Sequence, residues 1–544
     1  FPDMDQSVRF EGRHYRAAGA KPGPPALHRI GLWVGAYGPR MLRLTGRLGD
    51  GWLPSVGGSY LPEDEVAERQ TLIDEAARRA GRDPSQIVRA ANVGPRDSSG
   101  WLDAEHVAEF ARRLRFDLDE STRVVLARAG HVVELRIRHA GADRRHRHAA
   151  GLAIRGDAVE RFREAFETCA RERIRAIVAD AEAAYSSDTF WPADEWDAWQ
   201  APLPLMNVYC GAAGVVWALD RLRDHGVTLD LAAAAQRIAE RWREQPDFIQ
   251  ADDFELPEQA ESSLFSGGTG VMLVAYKLAP NPELADDLHA RVLANADSET
   301  LEVMWGPLGS LLAARAMHGW TDDARWADAW RHIADVVLAK RNADGLWPTR
   351  LWGNDYIGLT PPHGLVGNVD ALLTGDFLDD ATRETLKHDT NAALARSAII
   401  DDGAANWPQP YGAELERADG QIRVQWCAGS PGIAVATASY LDEELLLAAA
   451  ELPWRAGPHG MEKGPGICHG TAGNGYAFLK TFERTGDEKW LDRARSFAVH
   501  ALEQVDRRGH GRYSLFTGDL GVALYAADCL DARSGYPITD TLSD

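Results

Sequence analysis

The sequence predicts a mostly α-helical protein closed into a ring, a toroid of helical hairpins, preceded by a shorter, incomplete α/β segment. Three observations predict it. A motif of one glycine, two residues, a second glycine and an apolar run occurs seven times. The copies stand roughly 40 to 65 residues apart, room for two helices and their loops. Upstream of about residue 127 the pattern is different: short apolar runs alternate with amphipathic stretches.

The front elements read in order. RIGLWVGAY (29–37) is an apolar run closed by Gly35 and Gly38, a strand meeting a loop. PRMLRLTGRLGDGW (39–52) opens with Pro39, suited to the first position of a helix. LPEDEVAERQTLIDEAARRAGRDP (61–84) has an acidic first turn, helical apolar spacing and Gly81 as a stop. RAGHVVELRIRHAGADRRHRHAAG (128–151) is dense in Arg and His. It lacks the aromatics that stack on bases, so it reads as a basic junction over 127–156 and not as a nucleic-acid patch. A long amphipathic pattern over 158–185 opens the helical part, which runs from 157 to 544.

The seven copies are CGAAGVVWAL (210–219), SGGTGVMLVAY (266–276), WGPLGSLLAA (305–314), HGLVGNVDALL (363–373), AGSPGIAVAT (428–437), HGTAGNGYAFL (469–479) and TGDLGVALYAA (517–527). A glycine pair at a helix start lets the backbone turn tightly and lets neighbouring helices approach. Seven such starts predict a closed ring with every motif at one end.

Composition bounds the partners. The 544 residues are too many for one ordinary core. A formal net charge of −22 argues against nucleic acid. No stretch reaches the roughly 18 apolar residues of a membrane span. The chain begins at Phe1, which reads as a piece of a longer chain. Five cysteines, odd in number and sparse, fit a reducing, cytoplasmic setting.

Repeats in register allow positions to be compared. Two residues before the first glycine stand Tyr209, Phe265, Met304, Pro362, Cys427, Cys468 and Phe516. One before it stand Cys210, Ser266, Trp305, His363, Ala428, His469 and Thr517. Consecutive copies therefore place Cys427 and Cys468 at one spot, with His469 beside the second. In a ring these three meet at the centre. Two thiolates and an imidazole suit Zn²⁺, and three protein ligands leave a fourth position open, as in catalytic sites. Buried free cysteines are the plain alternative. His363 comes to the same end as a candidate acid/base. Lys463 lies on the approach, as a candidate anion-binding group. Glu302 and Arg423 lie shortly before repeat glycines and are candidates for the central wall. Cys210 is one residue out of the ligand register.

These motifs carry a resemblance. From about 185 to 544 the chain resembles the lanthionine synthetase C-like family. QWCAGSPGIA (425–434) and KGPGICHGTAGNGYAFL (463–479) match its zinc-ligand signatures, PPHGLVGN (361–368) its histidine motif and RYSLFTGDLG (512–521) its last repeat. CHGTAGNGYAFL is closest to the stand-alone, glutathione-binding branch. The resemblance implies an (α/α)7 double ring of seven inner and seven outer helices. It implies zinc on Cys427, Cys468 and His469, with His363, Glu302 and Arg423 as catalytic residues and Lys463 binding substrate. The activity implied is activation of a thiol, from a peptide cysteine or glutathione, for addition to a dehydroamino-acid peptide, giving a thioether. Ala428 departs from the family, which usually carries Tyr or His there; a zinc-bearing protein that binds glutathione or peptide without catalysis is the alternative. A helical-toroid glycosidase would require facing carboxylates, and Glu302 alone supplies no pair.

The stretch FEGRHYRAAGAKPGPPALHRIGLWVGAYGPRMLRLTGRLGDGWLPS (10–55) resembles the later half of a luciferase-like monooxygenase, a (β/α)8 barrel using flavin or F420. Over 1–126 only later strands are present, and a barrel closes only with all eight. Gly35, Gly38 and Arg40 would be remnants of its phosphate loop. A flavin- or F420-dependent oxidoreductase remnant is the further reading.

Overall fold

The computed structural model describes residues 8–11, 16–20, 32–56, 61, 65–89, 92–93, 123–128, 131–136, 147–198, 203–247, 259–415 and 422–543. The chain divides into two compact units, Phe1–Glu160 and Arg161–Asp544.

In the first unit, β1 (Val8–Glu11) pairs antiparallel with β2 (Arg16–Ala20). Three parallel strands follow: β3 (Trp33–Val34), β4 (Gly51–Trp52) and β6 (Val88–Arg89), in the order β3-β4-β6. β5 (Ser55–Val56) pairs in parallel with β7 (Asn92–Val93). Helix α1 (Pro39–Leu48) joins β3 to β4 and starts on Pro39 as expected. Helix α2 (Val66–Arg79) precedes β6, and Gly81 adopts φ +71° just beyond it. The two helices touch closely at Gly46, where a Cβ would stand 2.3 Å from the Ile73 carbonyl oxygen. Leu42, Trp52, Val66, Ile73, Ala77 and Ile87 form most of the core, and the Trp52 indole N–H donates to the Ala36 carbonyl at 2.9 Å.

The stretch that reads as a basic junction holds part of an antiparallel hairpin, β8 (Arg123–Arg128) with β9 (His131–Arg136), and the start of α3 (Arg147–Ala184). Positions 137–146 of that stretch lie outside the described residues.

The second unit is a double ring. Its inner helices are α4 (Ala212–Arg221), α6 (Gly268–Leu278), α8 (Pro307–Thr321), α10 (Leu365–Leu373), α12 (Ser430–Thr437), α14 (Thr471–Thr485) and α16 (Asp519–Asp531). Each packs on the next, and α16 packs on α4 to close the circle. The outer helices alternate with them: α5 (Leu231–Glu244), α7 (Pro282–Ala294), α9 (Ala324–Ala339), α11 (Asp380–Ser397), α13 (Glu443–Ala456) and α15 (Glu488–Arg508). The later part of α3 takes the seventh outer place. Arg163 pairs with Glu488 and Asp492 at one end of α15, Arg173 with Asp506 at the other, and Glu182 accepts from the backbone N–H of Thr228 and Leu229 ahead of α5.

Two kinds of helix start distinguish the layers. The six outer helices from α5 to α15 begin on Asp230, Asn281, Asp323, Asp379, Asp442 and Asp487, whose side chains accept a first-turn N–H. Each such cap is worth about 1 kcal/mol. The seven inner helices instead begin on the first repeat glycine, with no side-chain cap. Carbonyls of the preceding loop take over: Leu205 and Met206 accept from Ala212 and Ala213, and Gly464 and Pro465 from Thr471 and Ala472. The loop therefore folds back tightly over the helix start. A Cβ on the second glycine would collide with the carbonyl oxygen six residues earlier in every copy, at 2.1 Å for Gly214 and Val208 and 1.8 Å for Gly432 and Trp426. It would also press on the preceding repeat, as Gly270 does on Val208 and Gly214 on Leu515 across the ring closure.

Among the described residues no helix is long and apolar enough to cross a membrane.

Candidate metal centre

The folded-back loops bring the residues two before each repeat glycine into a belt. Backbone hydrogen bonds join them around the ring: Cys427 N–H to Cys468, Cys468 to Phe516, Phe516 to Tyr209, Tyr209 to Phe265 and Met304 to Pro362, at 2.9–3.3 Å. All seven line a single cavity of about 110 Å³, together with Trp426, His363 and His469. The register read from the sequence is thus a physical ring of side chains.

Within this cavity the ligand atoms of Cys427, Cys468 and His469 lie within 4.8 Å of one another. A tetrahedral zinc with Zn–S near 2.3 Å sets its sulfurs about 3.8 Å apart, so this donor set fits the ion with small closure. Further donors point at the sulfurs. The Tyr209 hydroxyl donates to Cys468 Sγ at 2.9 Å, and Gln425 Nε2 donates to Cys427 Sγ at 3.0 Å. The two thiols act on each other. The hydrogen bond from Cys468 holds the Cys427 thiol well below its ordinary pKa, aided by His469 and opposed by burial. The same bond, with burial, pushes Cys468 up. Burial and then the neighbouring Cys468 push the Tyr209 phenol well above its usual range, so it stays a donor.

His363 faces the same cavity. Its Nδ1 lies 2.7 Å from Glu302 Oε2. Glu302 is fully buried and accepts the backbone N–H of Met304 at 3.1 Å, of Trp305 at 2.5 Å and of Gly306 at 3.1 Å. Glu302 does not line the cavity: it holds His363, and the placement in the central wall is corrected to one behind it. With Nδ1–H given to the carboxylate, Nε2 is the ring nitrogen left for chemistry.

A larger vestibule of about 990 Å³ adjoins and shares Tyr209, Met304 and His469 with the inner cavity. Lys463 and Cys210 line it. Burial raises the Cys210 thiol, and Cys210 stands outside the three-residue cluster. Asp197 crosses the vestibule wall in a two-toothed pair with Arg512, at 2.6 and 2.8 Å. Arg423 is exposed and lines neither cavity; its charge acts on Tyr356. That phenol is pushed up to about 12 by burial, with Arg423 opposing.

Sequence reasoning missed Gln425, the hydrogen-bonding role of Tyr209, and Tyr356. Tyr209 stood in the ligand register and could have been found there; Tyr356 lies in a hairpin outside the repeats and carried no signal.

Comparison with known proteins follows this division. The model of the luciferase-like monooxygenase family matches residues 4–184. A stretch of 63 residues is 43% identical to a phthiodiolone/phenolphthiodiolone dimycocerosates ketoreductase of Mycobacterium tuberculosis, covering 12% of this chain and 16% of that protein. Over 130 residues the chain is 36% identical to "Glutathione S-transferase LANCL1" of Danio rerio, 21% of this chain and 31% of the relative. A further 188 residues are 34% identical to "LanC-like protein GCL1" of Arabidopsis thaliana, 32% of this chain and 39% of the relative. The chain thus spans about a third of the length of these two curated relatives. The solved structure of "Nisin cyclase" matches with a TM-score of 0.44 at 16% identity, covering 60% of this chain and 88% of that one. The lanthionine synthetase C-like family model matches residues 163–536, more than two-thirds of the chain, and the protein belongs to that family.

Proposed function

We propose that the ring activates a thiol, from glutathione or a peptide cysteine, for addition to a dehydroamino acid, giving a thioether. The observation that carries this is the convergence of Cys427, Cys468 and His469 on a cavity whose wall also holds His363. Zinc held by these three would lower the pKa of a substrate thiol and leave it a thiolate near neutral pH. Two cysteine ligands favour that thiolate chemistry over water activation. Tyr209 and Gln425 hydrogen-bond the two sulfurs and fix the ligands. Addition forms a C–S bond at the β-carbon and moves the alkene pair toward the carbonyl as an enolate. His363, steadied by Glu302, takes up on Nε2 the proton that the thiol gives up and delivers it to the α-carbon. Lys463 binds a carboxylate of the thiol substrate in the vestibule. Arg423, outside both cavities, takes no step.

Metal content tests this, with wild type beside Cys427→Ala. One zinc per chain, lost in the variant together with thioether formation from glutathione and a dehydroalanine peptide, is the expected result. A wild type without zinc after metal-free handling and zinc addition sinks the proposal.

The second reading, a binding protein without turnover, is favoured by one observation. Ala428 is buried and puts no polar group beside Cys427. Zinc together with glutathione binding, and no thioether, is its signature.

A further inference from the structure

We infer that Trp352 forms an acceptor subsite, its indole taking the planar, conjugated enamide of the dehydroamino acid beside His363. This rests on the thiol-addition reading above.

Two hairpins of the ring share one design. β10 (Thr349–Leu351) pairs with β11 (Asn354–Tyr356), and β12 (Ile399–Asp401) with β13 (Ala404–Asn406), each across a two-residue turn. Both central residues of both turns have positive φ: +52° and +75° at Trp352 and Gly353, +46° and +76° at Asp402 and Gly403. That geometry calls for Asn-Gly or Asp-Gly. Asp402 conforms. Trp352 does not, and a bulky aromatic with a left-handed backbone is an outlier. Such residues persist where their surroundings hold them, and they gather at ligand clamps.

The surroundings do hold it. Thr300 Oγ1 donates to the Arg350 carbonyl at 2.8 Å, and Leu301 N–H donates to Thr349 Oγ1 at 2.6 Å. The hairpin is therefore tied to the segment that carries Glu302. What the unusual turn achieves is visible at its tip. The Trp352 ring centroid stands 5.3 Å from that of His363, at 69° between planes, and the residue remains 40% exposed. The imidazole thus has Trp352 as a neighbour while it also lines the cavity of Cys427, Cys468 and His469. Asp or Asn would suit the turn better and would remove this aromatic surface. Indole offers a broad polarisable face, and the acceptor's C=C–C=O unit is a flat π system that lies well on it.

The test uses the zinc-loaded full chain, N-acetyldehydroalanine methylamide as acceptor probe and glutathione as thiol. Trp352→Asn is expected to keep zinc and its melting temperature. Its KM for the probe, and the probe's dissociation constant by equilibrium dialysis without thiol, are expected to rise about 5- to 10-fold. The KM for glutathione stays fixed, and Trp352→Phe recovers most of the loss. Unchanged probe binding and KM in Trp352→Asn overturn the inference, as does a fall in melting temperature of more than about 5 °C, which marks a packing residue. A wild type that binds no probe overturns it too. Probe binding that depends on Trp352, without thioether product, leaves the subsite standing and removes the catalytic reading.

Discussion

The front α/β unit and the ring differ in how they hold chemistry. Among the described residues the front unit has a parallel sheet of three strands and a compact core of eight buried residues around Trp52. Leu32, Trp33, Met41, Leu44 and Leu48 remain exposed there, and Arg40, in the first turn of α1, faces solvent. The ring instead repeats one helix start seven times and aims every copy at one cavity. A barrel makes its cofactor mouth from eight strands together, so its site cannot be read from any one strand. A ring makes its site from equivalent loops, so each loop can be read alone. Each unit carries its own family likeness, the luciferase-like model over residues 4–184 and the lanthionine synthetase C-like model over residues 163–536. A yellow or fluorescent cofactor copurifying with the chain would break this comparison.

The largest effect is expected at the ligand register. Cys468→Ala should abolish zinc binding and lower thioether formation more than about 100-fold, beyond what loss of an outer hydrogen bond gives. Cys210→Ala, one residue out of register, should leave zinc at one per chain. Metal analysis of both variants decides the matter: equal zinc loss in the two would mean that the register has no chemical meaning.

Next stands His363, the proposed proton donor. His363→Asn should lower kcat by about 10² or more while zinc stays bound. Glu302→Gln keeps a carbonyl for the backbone N–H groups but loses the charge that fixes His363. It should lower kcat less than His363→Asn does, with zinc still bound. A Glu302→Gln variant with wild-type kcat would reduce Glu302 to a structural cap.

How much of this was legible follows from the same difference. The ring, its closure and the convergence of Cys427, Cys468 and His469 were readable because the Gly-x-x-Gly spacing is a steric demand: the loop carbonyl six residues earlier leaves no room for a Cβ. Pro39 marked a helix start and Gly81 a helix stop through local chemistry alone. What stayed hidden depends on contacts between distant segments. Glu302 read as a wall residue because its position relative to His363, 61 positions on, is set by packing. Arg423 read as central because order along the chain does not say which way a loop residue points. Trp352 stayed silent because its meaning lies in a backbone angle.

The glycine spacing itself is open to test in a stability measurement. In Gly432→Ala the new Cβ would stand 1.8 Å from the Trp426 carbonyl oxygen, backbone that can shift only with the site. A loss of about 3 kcal/mol is expected by urea unfolding. Gly319→Ala, exposed within α8 and with nothing within 4 Å of its Cβ, should instead gain up to about 1 kcal/mol. If both substitutions are neutral, the repeat glycines are ordinary helix starts and the ring loses its steric basis.

The smallest effect concerns buried charge, which separates the two units again. In the ring, burial pushes the Asp528 carboxyl up to about 6, although the Tyr476 hydroxyl donates to it at 2.7 Å and Arg533 stands nearby. In the front unit Asp83, exposed and accepting from Ser85, is shifted down. Because the folded pKa of Asp528 lies above the unfolded value of about 3.8, the folded state binds the extra proton. Its contribution is therefore full below pH 4, declines as pH rises from about 4 to 6, and is flat above. Asp528→Asn keeps an acceptor for Tyr476 and removes the titration. The variant should be more stable than wild type at pH 7 by about 1–3 kcal/mol and equal to it near pH 4. Urea midpoints at the two pH values measure this. A variant less stable at pH 7 would show that the Arg533 pairing outweighs burial, and that the ring tolerates charge in its interior as readily as the front unit does at its surface.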